Sequence, residues 1–122
     1  GLAERVGFLR SDWFGALPAG VRFDLIVGTP PYLSAEETAA TKPEVRGFEP
    51  AAALMAADGG LADLRVILER APAFLAPEGL LALETGINQH AELQMIARAA
   101  GFSRVDSQTD LTGRERFLLA RV

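Results

Sequence analysis

The strongest constraint on this chain lies at residues 23–28, Phe-Asp-Leu-Ile-Val-Gly, an apolar run that stops on Thr29-Pro30-Pro31-Tyr32. Such a run, bounded by turn formers, suits a parallel β-strand covered on both faces. Gly79 to Thr85 (GLLALET) reads as a second buried strand of the same kind. Between them, residues 34–57 are rich in Ala, Thr and Glu with prolines at 43 and 50, and read as a long irregular excursion holding at most one short helix.

From Gly60 the pattern turns helical. Leu61, Leu64, Ile67, Leu68, Ala71, Phe74 and Leu75 fall on one face. Asp58 is a candidate cap, and Pro77 with Gly79 closes the helix. Pro72 conflicts with a straight helix, because an interior proline costs about 3 kcal/mol, so the last turn is expected to bend. Asn88 to Ala100 predicts a second amphipathic helix, capped by Asn88 and stopped by Gly101. Residues 103–109 and 115–121 alternate as strands, and Asp110 to Gly113 joins them as a hairpin. The expectation is an α/β sheet, mostly parallel, with strands near 23–28, 79–85, 103–109 and 115–121, the last antiparallel to its neighbours. Helices at roughly 60–76 and 88–100 pack on it.

Bulk properties exclude several function classes. A length of 122 residues bounds the chain to one domain or less. No apolar run approaches the ~18 residues of a membrane span. With no cysteine and a single histidine, His90, the chain can build neither a disulfide nor a histidine metal cluster. This composition permits a cytoplasmic location, which is the expectation. The net charge of −4 weighs against a nucleic-acid partner, since gripping DNA needs a basic face.

The chemistry is carried by Thr29-Pro30-Pro31-Tyr32, directly after a buried strand. Ligands of open α/β sheets bind beyond the carboxyl ends of the strands. Two prolines hold the backbone extended and remove two N–H donors, so the local carbonyls point in fixed directions. The tyrosine adds a flat wall. An amide nitrogen is a poor nucleophile, and fixed carbonyl acceptors can orient it for attack through positioning and preorganised electrostatics. The plain alternative is an ordinary Pro-Pro turn.

These residues resemble the Asn- or Asp-Pro-Pro-Tyr motif of methyltransferases acting on amino or amide nitrogens. Within that group the whole chain resembles the protein-(glutamine-N5) methyltransferases of peptide release factors. The matching stretches are Ser11-Asp12-Trp13-Phe14; Val45-Arg46 with Phe48-Glu49-Pro50, Ala53-Leu54 and Asp58-Gly59-Gly60-Leu61; Leu83-Glu84-Thr85-Gly86 with Gln89; and Asp110-Leu111 with Gly113-Arg114-Glu115-Arg116. The resemblance implies a partial Rossmann-like class I methyltransferase sheet, and for 1–122 the carboxyl-terminal part of one catalytic domain. It implies S-adenosylmethionine as cofactor, with Trp13 and Thr29 lining its site, and a release factor as protein substrate, with Thr29, Pro30, Pro31 and Tyr32 holding its glutamine. It assigns no acid-base residue; Glu49 and Glu84 are expected to brace loops, and Arg114 and Arg116 to brace the hairpin.

Two departures stand out. Position 29 is threonine where the family has asparagine, and a hydroxyl cannot copy an amide's paired contacts. The glycine-rich cofactor loop and the acidic ribose ligand are absent from these residues, so a fragment, a truncated homologue or one part of a split protein is expected. Two rival readings are a DNA adenine or cytosine amino-methyltransferase and a non-catalytic homologue that binds a protein partner. In the family's sheet, the strand matching Val6–Leu9 lies away from the one at 23–28. Either 6–9 moves in beside 23–28, or a second copy pairs at that exposed edge as a homodimer, which is the preferred expectation.

Overall fold

The structure is a computed structural model that describes residues 1–30 and 61–122. The expected excursion at 34–57, Pro31, Tyr32, Glu49 and the Asp58 cap lie outside the described residues. Four strands form one sheet: β1 (Phe23–Gly28), β2 (Leu75–Glu84), β3 (Arg104–Thr109) and β4 (Glu115–Arg121), in the order β1-β2-β4-β3. β1 and β2 are parallel, while β4 is antiparallel to both β2 and β3. Three strands therefore run one way and the last runs against them, as the sequence predicts.

Two helices, α1 (Ala62–Arg70) and α2 (His90–Ala100), cover one face of this sheet. The alternating positions Leu81, Leu83, Val105, Leu118 and Ala120 turn towards them. Leu64, Ile67 and Leu68 of α1 and Leu93, Ile96 and Ala97 of α2 complete the core. The bend expected at Pro72 is present: the α-helix ends at Arg70 and a 3-10 turn, Ala71–Phe74, carries the proline in its first positions. There the missing N–H leaves no helical bond unmade. Gly101 closes α2 with φ 109, donating to the carbonyls of Ala97 and Arg98, while Phe102 N–H also reaches Ala97. This is a Schellman closure, which favours glycine because other residues resist a left-handed backbone.

Four expectations need correction. Residues 6–9 form no strand and are exposed, so nothing of this segment pairs with β1. Second, β2 begins at Leu75, not Gly79, because Leu75 pairs with Phe23. The ladder then slips before Leu25 meets Leu80, and the extra residues bulge through Pro77 and Glu78, whose φ is 62. Gly79 permits the crossing, since a Cβ there would sit 2.8 Å from the Ala76 carbonyl oxygen. Third, α2 starts at His90, and Asn88 is not its cap. Gln89 takes that position and turns its side chain back onto the Gly86 amide.

The fourth correction concerns the second sheet face. The sequence predicts burial on both sides of β1, but Leu25 is 54% and Val27 67% exposed. Both belong to an open face continued by Leu80, Ala82, Leu119 and Phe117 across the registers of β2 and β4. β1 is also an edge among the described strands.

The β3–β4 turn is self-contained. One oxygen of Asp110 accepts from the Thr112 hydroxyl at 2.6 Å and from the backbone amides of Thr112 and Arg114. These contacts, led by the Thr112 hydroxyl and aided by the Arg114 charge, hold its carboxyl down at about 2. Its other oxygen lies 3.6 Å from Arg116, whose guanidinium also donates to the Thr85 carbonyl at 3.5 Å. Arg114 and Arg116 therefore brace the hairpin, and Arg116 further ties it to the end of β2.

Candidate functional site

The carboxyl ends of the parallel neighbours β1 and β2 lie side by side, with Gly28 opposite Leu83. Thr29 is exposed at the end of β1 and Pro30 is buried. On the open face these strand ends border a hollow of about 240 Å³ lined by Val27, Gly28, Thr29, Ala82, Glu84, Gln108 and Phe117. Small-molecule pockets run from roughly 300 Å³ upward, so this hollow suits a side chain better than a whole cofactor. Glu84 is its one ionisable side chain among the described residues.

Trp13 reaches the same strand from the other side. It shares a hollow of about 130 Å³ with Phe14, Val27 and Gly28, and borders another of about 290 Å³ with Leu9, Ser11 and Leu25. Gly28 therefore borders both the Thr29 hollow and a Trp13 hollow, which places the two predicted residues at opposite sides of one strand end. The Trp13 backbone has φ 52, an uncommon conformation for a bulky residue, costing of order 1–3 kcal/mol. Local bonds sustain it: Gly15 N–H donates to the Asp12 carbonyl, Ala16 N–H to the Ser11 hydroxyl, and the indole N–H to Asp63 at 3.3 Å. Phe14 stacks on Phe74 at 5.0 Å and anchors the turn in the core. The indole remains 37% exposed, so it is not a simple core residue.

Sequence reasoning gave His90 no role; in the structure both of its ring nitrogens are bonded. The ring is buried, with Nε2 2.5 Å from the Thr85 hydroxyl and Nδ1 2.6 Å from the Ser107 hydroxyl. Its position on the stripe His90-Leu93-Ile96-Ala97 was the available signal, since that spacing faces the sheet.

No family model matches the chain. A release factor glutamine methyltransferase of Cereibacter sphaeroides is 45% identical over 122 residues, covering 100% of this chain and 43% of the relative. The one from Pasteurella multocida is 44% identical over 115 residues, covering 94% of this chain and 38% of the relative. That of Pseudomonas aeruginosa is 44% identical over 120 residues, covering 98% and 43%. Over 94–100% of its length the chain is similar to these release factor glutamine methyltransferases. It spans 38–43% of the length of these relatives. A solved structure, the release-factor-specific protein-(glutamine-N5) methyltransferase of Alicyclobacillus acidocaldarius, aligns over 89% of this chain at 21% identity and a TM-score of 0.47.

The resemblance to the release factor glutamine methyltransferases seen in the sequence thus holds along all of it.

Proposed function

We propose that residues 1–122 are the carboxyl-terminal part of a catalytic domain that transfers a methyl group from S-adenosylmethionine to a glutamine side-chain nitrogen of a peptide release factor. The observation that carries this reading is 45% identity along the full chain to a protein of that name. The described residues fit one wall of such a site. Trp13 offers an exposed aromatic face beside Gly28, whose missing side chain leaves the strand end open. When bound, S-adenosylmethionine supplies an electrophilic methyl group. Thr29 and Pro30, with Pro31 and Tyr32 following them in sequence, hold the acceptor amide by hydrogen bonding and orient its nitrogen. The amide nitrogen gives up one proton to solvent as it gains the methyl group, and no side chain is assigned to carry that proton; positioning and fixed dipoles lower the barrier. With release factors as substrates, the working compartment is the cytoplasm.

The test is incubation of the full-length protein with methyl donor and release factor, followed by mass spectrometry of the glutamine-bearing peptide. A gain of one methyl group on that glutamine is expected. Binding of the release factor without transfer would favour a non-catalytic homologue, and transfer to duplex DNA would favour a nucleic-acid enzyme. The 122-residue chain alone is expected to give no saturable heat with micromolar cofactor, since its residues lack the glycine-rich loop. A micromolar dissociation constant, about −8 kcal/mol, would place the whole pocket within these residues.

The open face and edge of β1 carry a prediction for the isolated chain. An unpaired, apolar edge strand invites pairing with another copy. Light scattering is expected to show a dimer, and Val27→Lys to shift it to monomer. A monomer at all accessible concentrations would rule this out.

A further inference from the structure

Four side chains form one hydrogen-bonded row across α2, β3 and the turn that leaves β2. The Gln94 amide nitrogen donates to the Ser107 hydroxyl oxygen at 2.8 Å. The Ser107 proton is then free for His90 Nδ1 at 2.6 Å, which makes Nδ1 an acceptor. The ring proton must sit on Nε2, where it donates to the Thr85 hydroxyl oxygen at 2.5 Å. Thr85 in turn donates to the carbonyl of Gly86 at 3.1 Å or of Arg116 at 3.2 Å. In this order every proton along the row has an acceptor. The opposite order puts a second N–H on Ser107 and strips the two carbonyls of the Thr85 hydroxyl proton.

The row ends on the turn that leaves β2. Other contacts converge there: Gly86 N–H donates to Gln89 Oε1 at 2.8 Å, and Thr85 N–H donates to the Arg116 carbonyl at 2.8 Å. Gly86 admits the Gln89 side chain because a Cβ there would stand 2.9 Å from the Gln89 side-chain amide carbon. Glu84, one residue earlier, lines the hollow with Thr29. We propose that His90 is a positioning residue, whose neutral Nε2–H form latches the Thr85–Gly86 turn to α2 and β3 and so fixes Glu84 at the rim of the strand-end hollow. That this rim serves methyl transfer rests on the function proposed above; the latch itself does not.

Protonation opposes the latch, because a second ring proton would point at Ser107 and displace its hydroxyl proton. Burial lowers the His90 pKa from the ordinary 6.5, and the Glu115 carboxylate at the start of β4 works against that shift. Several other charges on the packed elements have their own partners. Arg65 of α1 pairs with Glu92 of α2, Arg104 and Asp106 of β3 pair with each other, and Arg116 of β4 contacts Asp110. The neutral ring costs nothing above pH 6.5. As the pH falls through 6.5 the unfolded chain gains its proton first, and folded stability declines until the lower folded value is passed.

His90 is the single histidine of the chain, so its ring signals in a ¹⁵N-labelled sample of the 122 residues are unambiguous. At pH 7.5 the ring is expected to show the Nε2–H tautomer, with a titration midpoint below 6.5. The backbone amides of Glu84, Thr85 and Gly86 should shift with the same midpoint. Ser107→Ala should yield a mixture of tautomers. An Nδ1–H ring, or amides at 84–86 that ignore the His90 titration, would overturn the latch. In the full-length protein, KM for the release factor should rise on acidification with the His90 midpoint, and His90→Gln should remove that dependence. A pH-independent KM would sever the latch from the site. Absence of methyl transfer at every pH would instead count against the proposed function, and the ring spectrum would still decide the latch.

Discussion

Leu83→Ala is expected to cost the 122-residue chain about 2–5 kcal/mol of unfolding free energy, which is a large share of a small domain's total of roughly 5–15. Leu83 is 2% exposed, sits opposite Gly28 on β1 and Leu118 on β4, and faces the helices. Its Cδ2 lies 3.0 Å from where a Cβ on Gly28 would stand, so it fills the space that the glycine leaves. Truncation removes the transfer energy of the side chain and opens a cavity between two strands and the helix layer, and neither partner strand can close it without breaking the ladder. For a domain of this size each kcal/mol moves Tm by about 4–8 °C. Val27→Ala, on the same strand pair but 67% exposed on the open face, should stay within about 0.5 kcal/mol at concentrations where the chain is monomeric. Equal losses for the two variants in urea unfolding of the monomer would contradict a core confined to one face of the sheet.

Thr29→Asn in the full-length protein is expected to raise kcat/KM for glutamine methylation. Threonine gives one hydroxyl on a short arm, while asparagine offers both a donor and an acceptor in one plane. One added hydrogen bond is worth about 0.5–1.5 kcal/mol, or roughly a two- to tenfold rate gain. Thr29 is exposed at the strand end, so the larger side chain can be accommodated without disturbing the core. Thr29→Val, which keeps the branched shape and removes the hydroxyl, should lower the rate if that hydroxyl touches the acceptor. An unchanged or lower rate in Thr29→Asn would show that the site has adapted around threonine and takes a different acceptor geometry.

Local order was legible wherever a local cause sets it. The bounds of β1 at 23–28 follow from an apolar run cut by Thr29-Pro30, and the β3–β4 hairpin follows from alternation around Asp110-Gly113. Gly101 ends α2 because glycine adopts φ 109 at little cost, and Pro72 converts the end of α1 to a 3-10 turn because it lacks an N–H. The backbone restraint at 29–32 is written in the residue types, and the chemistry read from it is part of the function proposed here. The family's strand at 6–9 did not carry over, because a short segment has strand character only where another strand accepts its backbone groups, and none of the described strands does.

What the tertiary structure alone decided are relations between distant residues. Sequence gave no way to know that Leu75 would pair with Phe23 and lengthen β2, because that contact spans 52 positions and depends on the bulge at Glu78 and Gly79. Nor could composition show that Leu25 and Val27 face outwards, since an apolar side chain reads the same whether or not a layer covers it. The strain at Trp13 exists because Asp63, fifty residues on, holds the indole in place. His90 acquires its proton order only when Ser107 of β3 and Thr85, just beyond the end of β2, close on its ring. Local sequence sets which elements form and where they stop; the alignment of hydrogen-bond partners between elements sets which faces are open and which polar groups come together, and that alignment is a property of the assembled sheet.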